Sequence, residues 1–70
     1  MALMEFAERL KELRKMYKFS QKELAEKLEV YQSNVSDWEN GISRPEYEKL
    51  IALADIFDVS LDELLGRKEI

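Results

Sequence analysis

Short polar side chains cluster between residues 31 and 39, where the sequence reads YQSNVSDWE. Gln32 and Ser33 come first, and Ser36 and Asp37 follow one helical turn later. A glutamine amide can pair with adenine through two hydrogen bonds, a serine hydroxyl suits any base, and an aspartate can accept a hydrogen bond from cytosine. These residue types therefore predict contacts with the edges of bases. A polar helix face that meets only solvent is the alternative interpretation.

Apolar residues on either side of this segment have the spacing of two short helices joined by a tight turn. Leu24 and Leu28 lie four residues apart and so share one helical face. Ala25 lies on the same side and is small enough for a second helix to cross beside it. Val30 falls in the predicted turn, and Val35 falls on the second helix. The pattern predicts a helix-turn-helix in which the polar segment forms the second helix.

The remaining spacing predicts an all-α chain of five helices with no strand. The first helix is expected over residues 3–17, the second after Ser20, and the third over residues 32–39. We expect Pro45 to open the fourth helix, and the fifth to begin after Ser60 and end at Gly66. Residues 67–70 are predicted to be a frayed tail.

Two features refine these helices. The sequence S-x-x-E occurs at residues 20–23 and 60–63, and it is the capping box that satisfies free backbone N–H groups at a helix start. The predicted inner face of the fourth helix consists of Leu50, Ile51, Leu53, Ala54 and Phe57.

Most large aromatic side chains are predicted to belong to the core. At its position, Trp38 is expected to face the second helix rather than stack on a base. The group formed by Tyr17, Phe19 and Phe57 is interpreted as packing, not as a ligand site. Tyr31 lies near the predicted nucleic-acid face, where it is a candidate contact, and a role for Tyr47 is left open.

Composition limits the functional classes. The chain of 70 residues is predicted to form one domain, 1–70, and it contains no cysteine and no histidine. Disulfide and thiolate chemistry are therefore excluded, and so are the commonest general base and the commonest metal ligand. No glycine-rich phosphate loop is present either. We expect a protein that is not an enzyme and that uses no cofactor or metal.

Charge and hydropathy bear on location and partners. Glu5, Glu8 and Arg9 interrupt any apolar core of a signal peptide, and no run approaches the roughly 20 apolar residues that span a bilayer. We therefore expect a cytoplasmic protein without a membrane partner. The net charge is −4, and residues 45–70 hold three basic and seven acidic side chains. This excess lies away from the polar segment, but it predicts weak general attraction for nucleic acid.

Four runs together carry a specific resemblance: FAERLKELRK, FSQKELAEKLEV, VSDWENG and LIALADIFDVSLDELL. In this order, over residues 6–66, the chain resembles the phage repressor/Cro/xenobiotic-response-element family of helix-turn-helix regulators. The resemblance implies a compact five-helix domain of the lambda-repressor-like type with its helix-turn-helix in the second and third helices. It also implies a bacterial or phage-encoded protein associated with the nucleoid, whose partner is double-stranded DNA.

The family resemblance also assigns roles to individual residues. It implies base contacts at Gln32, Ser33 and Asp37, to which we add Ser36 from its place on the same face. A structural ion pair between Arg14 and Glu39 is implied as well. The predicted phosphate contacts are Gln21, Tyr31, Asn40, Ser43 and Arg44.

The sequence departs from the family pattern at four positions. Glu29 and Lys18 stand where glycine is common, and a side chain there strains a left-handed backbone. Tyr31 replaces a serine that often caps the third helix. Asp37 stands where arginine or lysine is frequent, which lowers the expected affinity for DNA.

The sequence is compatible with two functions. The first is a sequence-specific transcriptional regulator that binds a two-fold operator as a homodimer, through an interface predicted at Phe57, Asp58, Leu61 and Leu65. No ligand-sensing segment follows the DNA-binding residues in this sequence, which favours a small stand-alone regulator without a small-molecule substrate. The second is a protein-interaction module, such as an antitoxin or anti-repressor, that applies an acidic surface to a basic partner.

Overall fold

The computed structural model describes residues 3–66, and the side chains of residues 5–66. Its helices are α1 (Leu3–Met16), α2 (Gln21–Leu28), α3 (Gln32–Glu39), α4 (Tyr47–Phe57) and α5 (Leu61–Leu64). No strand occurs within the described range. The all-α, five-helix prediction is confirmed, while the proposed fraying of residues 67–70 lies outside the described residues.

Both predicted capping boxes form. At the start of α2, the backbone N–H of Glu23 donates to the Ser20 hydroxyl, and the Ser20 N–H donates back to the Glu23 carboxylate. Ser60 and Glu63 repeat this exchange at the start of α5. Because α5 has only four residues, these capping bonds secure a large share of its end groups.

Left-handed residues end three of the helices. Lys18 has φ 61° after α1, Glu29 has φ 60° after α2, and Asp58 has φ 54° after α4. Glu29 and Asp58 directly follow their helices, whereas Lys18 is the second residue after α1. A left-handed residue just past a helix end is a common way to terminate it. None of the three is glycine, so each turn forms despite a steric cost at Cβ.

A single core joins the helices. Phe6 and Leu10 of α1, Leu24 of α2, Leu53 of α4 and Leu64 of α5 are fully buried. Helix α3 packs against both α1 and α2, and it contributes the buried residues Val35 and Trp38. The prediction that Trp38 belongs to the core is confirmed.

Helix α4 differs from its prediction at two points. It begins at Tyr47 behind Glu46, so Pro45 precedes the helix and does not open it. Pro45 is itself buried, which anchors the loop before the helix start. Ile51 is 37% exposed and lies outside the core, whereas Leu53 and Phe57 are buried as predicted. No helix in the described part of the chain is long and apolar enough to cross a membrane.

The three predicted packing aromatics lie together near the end of α1. The rings of Tyr17 and Phe57 meet edge to face, with centroids 5.2 Å apart, and the Tyr17 hydroxyl donates to the Phe57 carbonyl over 2.7 Å. Phe19 stacks against Tyr17, with ring centroids 6.2 Å apart. Tyr17 is more exposed than a core residue, so packing alone does not hold its ring. The hydrogen bond from its hydroxyl also fixes the ring in place.

Candidate nucleic-acid interface

The start of α3 presents its polar side chains to solvent. Gln32 and Ser33 are exposed, and Tyr31, the N-cap residue, is 80% exposed. The Tyr31 side chain makes no capping hydrogen bond, which leaves the first N–H groups of α3 without a side-chain acceptor. The N-terminal turn of α3 therefore offers backbone and side-chain donors on one accessible surface.

Ser36 and Asp37 lie one turn later and are half-buried. The Asn40 amide donates a hydrogen bond of 3.3 Å to the Ser36 hydroxyl, which links a predicted phosphate contact to a predicted base contact. No hydrogen bond or ion pair engages the Asp37 carboxylate within the described residues. Asp37 thus keeps its acceptor capacity, whereas Ser36 already uses part of its own.

The loop after α3 is held by the backbone of Asp37. Its carbonyl oxygen accepts hydrogen bonds from the N–H groups of Ile42, at 2.9 Å, and Ser43, at 3.5 Å. Gly41 adopts φ 73°, the conformation that lets the chain reverse at this point. Ser43 and Arg44 follow and are exposed, and the bond from the Ser43 N–H keeps that residue beside α3.

A buried ion pair ties α1 to the end of α3. Arg14 Nε donates to Glu39 Oε2 over 2.6 Å, and Arg14 Nη2 donates to Glu39 Oε1 over 3.0 Å. The Arg14 side chain is 12% exposed and that of Glu39 only 1%. A third guanidinium N–H, on Nη1, donates to the Phe19 carbonyl over 2.9 Å. The pair predicted from the sequence is present, with the two-pronged geometry that favours arginine over lysine.

Gln21 joins this ion pair. Its Nε2 donates to Glu39 Oε1 over 3.0 Å, so one carboxylate holds side chains from both α1 and α2. Gln21 is the first residue of α2 and is half-buried. The sequence predicted a phosphate contact here and did not predict the bond to Glu39. One of the two Gln21 amide hydrogens is therefore already used in a hydrogen bond within the protein.

The predicted dimer surface needs one correction. Phe57 is 1% exposed and packs within the core, so its side chain is not available to a second chain. Asp58 is exposed, and Leu61 and Leu65 are half-buried. The sequence had also placed Phe57 on the inner face of α4, and its spacing of four residues from the buried Leu53 favours that assignment.

Comparison with known proteins identifies the fold family. A family model described as helix-turn-helix matches residues 10–64. The chain belongs to this helix-turn-helix family. The resemblance drawn from the sequence is therefore confirmed.

Individual relatives agree with this membership. The chain is 39% identical to the HTH-type transcriptional regulator ImmR of Bacillus subtilis, over 96% of this chain and 53% of that protein. It is 44% identical to the regulator AnsR of the same organism, over 89% of this chain and 53% of that protein. It thus spans about half the length of these relatives.

Solved structures show the same arrangement of helices. A transcriptional regulator from Listeria innocua superposes with a TM-score of 0.86 at 38% identity, over 93% of this chain and 61% of that one. The restriction-modification controller protein C.AhdI from Aeromonas hydrophila gives 0.80 at 32% identity, over 89% and 94%.

Sequence reasoning missed two contacts that position this helix-turn-helix. One is the Gln21–Glu39 bond, whose partners are 18 residues apart. The other joins Lys49 of α4 to the Leu28 carbonyl at the end of α2, over 2.7 Å. Neither has a local sequence signal, because each depends on how two helices approach. By contrast, the four-residue spacing between Ser36 of α3 and Asn40, which directly follows the helix, could have indicated their contact.

Proposed function

We propose that this chain is a sequence-specific DNA-binding transcriptional regulator whose α3 enters the major groove. The supporting observation is the exposed pair Gln32 and Ser33 at the start of α3, in a chain of the helix-turn-helix family. In such motifs the N-terminal residues of the second helix contact base edges. The names of the relatives, HTH-type transcriptional regulators, point to the same role.

Base contacts are proposed for four residues of α3. Gln32 and Ser33 are exposed. The Gln32 amide is suited to adenine, and the Ser33 hydroxyl can pair with either a purine or a pyrimidine. Asp37 supplies a free acceptor for a cytosine amino group. Ser36, which already accepts from Asn40, would use its hydroxyl hydrogen as a donor.

Phosphate contacts are proposed on both sides of α3. Gln21 and Tyr31 lie before it, and Asn40, Ser43 and Arg44 lie after it. Such contacts fix the position of the helix without reading sequence. Arg44 is the one full positive charge among them, so general electrostatic affinity should be modest in a chain of net charge −4.

The functional unit is proposed to be a homodimer on a two-fold operator. Two copies of α3 must reach major grooves separated by about one helical turn, ~34 Å. The surface around Asp58, Leu61 and Leu65 is the proposed interface because it offers partly exposed leucines after α4. We propose no catalytic activity and no cofactor for this unit.

A protein-interaction module is the second candidate. The observation that favours it is the net charge of −4, with exposed acids such as Glu26 on α2 and Asp55 on α4. An acidic surface of this kind would suit a basic protein partner. The exposed polar start of α3 has no role in that alternative, which is why DNA binding is preferred.

Selection from a random duplex pool at low salt tests the proposal. A regulator should enrich one sequence with two-fold symmetry, and Gln32→Ala should relax the preference at one symmetric position. Glu12→Ala, on the exposed outer side of α1, is the matched control and should leave the selected sequence unchanged. A pool in which no sequence is enriched would reject sequence-specific binding and favour the interaction module.

A further inference from the structure

We propose that Glu39 is a positioning residue for DNA binding, because it orients the Gln21 amide before DNA arrives. The proposal rests on the proposed function and deepens it. Glu39 itself cannot contact DNA, since its side chain is 1% exposed. It acts through the hydrogen bond of 3.0 Å that it accepts from Gln21 Nε2.

Three donors converge on this one carboxylate. Arg14 occupies Oε2 and also approaches Oε1, which Gln21 shares. Because Arg14 donates to both oxygens of Glu39, the plane of the carboxylate is fixed. The direction in which Oε1 can accept a further hydrogen bond is therefore fixed as well. The ion pair therefore determines where the Gln21 amide can lie.

The Gln21 amide has capacity left after this bond. A primary amide offers two N–H donors and one acceptor oxygen, and the bond to Glu39 uses one donor. The second N–H and the oxygen have no partner within the described residues. Gln21 is the first residue of α2, beside backbone N–H groups that favour an anion. The Gln21 amide is held in place by Glu39 and keeps one free N–H at the start of α2. It is therefore suited to donate a hydrogen bond to a phosphate oxygen.

Preorientation has a thermodynamic benefit. A glutamine free in solvent loses rotamer entropy when it binds, as any flexible side chain does. A glutamine already fixed by Glu39 avoids most of that loss. The Arg14–Glu39 pair thus contributes to DNA affinity as well as to the packing of α1 on α3.

A double-mutant cycle in DNA affinity tests this role. Gln21→Ala should weaken binding to the selected operator roughly three- to tenfold per protomer, the range for one net hydrogen bond. Its salt dependence should not change, because an amide displaces no counterion. Glu39→Gln should weaken binding in the wild-type background and have almost no further effect in Gln21→Ala. Glu26→Gln, an equal change of charge at an exposed site on α2, is the control.

The outcomes separate cleanly. Equal losses from Glu39→Gln in both backgrounds would show that Glu39 acts only through folding, and would overturn the proposal. Unchanged affinity in Gln21→Ala would also overturn the role proposed for Glu39. If the wild type still bound the operator in that case, the proposed function would stand. A wild type that binds no DNA would overturn both. Circular dichroism at the assay temperature restricts the comparison to folded variants.

A second measurement does not require Glu39→Gln to fold. The NMR order parameter of the Gln21 side-chain amide should lie above about 0.6 in the free wild-type protein and remain so with operator DNA. A value below about 0.6 without DNA marks a flexible group and would overturn preorientation. Gln32, which is exposed and has no partner in the described residues, serves as the internal comparison and should become rigid only on binding.

Discussion

The Lys49 ammonium group donates a hydrogen bond of 2.7 Å to the Leu28 carbonyl, 21 residues earlier in the chain. Leu28 is the last residue of α2, so a cation from α4 meets the negative end of a helix. The helix-turn-helix is thereby held at both ends of α2, by Lys49 at its end and by the Gln21–Glu39 bond at its start.

Removing this cation should lower stability without altering the surface of α3. Lys49→Met is expected to reduce the free energy of unfolding by about 1 kcal/mol, since a partly exposed charged hydrogen bond is lost. Urea unfolding followed by circular dichroism measures it. Lys11→Met, on the exposed side of α1, is the control and should change stability by less than about 0.5 kcal/mol. Equal losses in the two variants would contradict a specific role for Lys49.

The ion pair of Arg14 and Glu39 should show strong coupling. Breaking a buried pair from one side costs about 3–5 kcal/mol, because the other charge loses its partner. Arg14→Met and Glu39→Gln should therefore each destabilise the fold, and the double variant should lose much less than the sum. Denaturant unfolding of all four proteins gives the coupling energy. Additive losses would reject the pair as an energetic unit.

Glu29 provides a test of backbone strain. Its φ of 60° costs a residue with a Cβ about 1–2 kcal/mol in the folded state. Glycine removes that cost but lowers the free energy of unfolding by about 0.5–1 kcal/mol, because the unfolded chain gains entropy. Glu29→Gly should therefore stabilise the fold by roughly 0.5–1 kcal/mol. Glu26→Gly makes the same chemical change inside α2 and should destabilise it by about 1 kcal/mol. Thermal unfolding would contradict the argument if both substitutions had the same sign.

Local periodicity explains most of what the sequence predicted. Leu24 and Leu28 share a face because of helix geometry alone, and Ser20 caps α2 through a partner only three residues away. The start of α4 was placed too early because proline commonly opens helices, whereas the buried Pro45 here belongs to the preceding loop. The bond from Gln21 to Glu39 depends on how helices pack, and no spacing encodes it.

The predicted dimer should respond to acidic charge near α5. Asp58 is exposed beside Leu61 and Leu65, and like charges across a two-fold axis repel. Asp58→Asn keeps the shape and tolerates the left-handed backbone, so it should tighten self-association severalfold in sedimentation equilibrium. Glu12→Gln, a charge change on α1, should not. A protein that stays monomeric in every variant, even with operator DNA, would rule out the dimer.

Asp37 offers the sharpest test of base recognition. A carboxylate near phosphates costs electrostatic energy, so its presence on α3 calls for a specific compensation. Accepting a hydrogen bond from cytosine N4 would supply about 1–3 kcal/mol of discrimination at one base pair. Its carbonyl, not its side chain, holds Ile42 and Ser43, so substitutions at Asp37 should preserve the loop.

Two substitutions of Asp37 should diverge. Asp37→Ala should relax the preference at one symmetric position and leave the rest of the site unchanged. Asp37→Arg should raise affinity for all DNA and steepen the log–log salt dependence by roughly one unit per protomer, because one more phosphate is neutralised. Asp55→Arg, an equal charge reversal on the exposed side of α4, controls for net charge and should affect the salt dependence less. If Asp37→Ala keeps every base preference, Asp37 contacts no base, and an acidic contact for a basic protein becomes the better explanation.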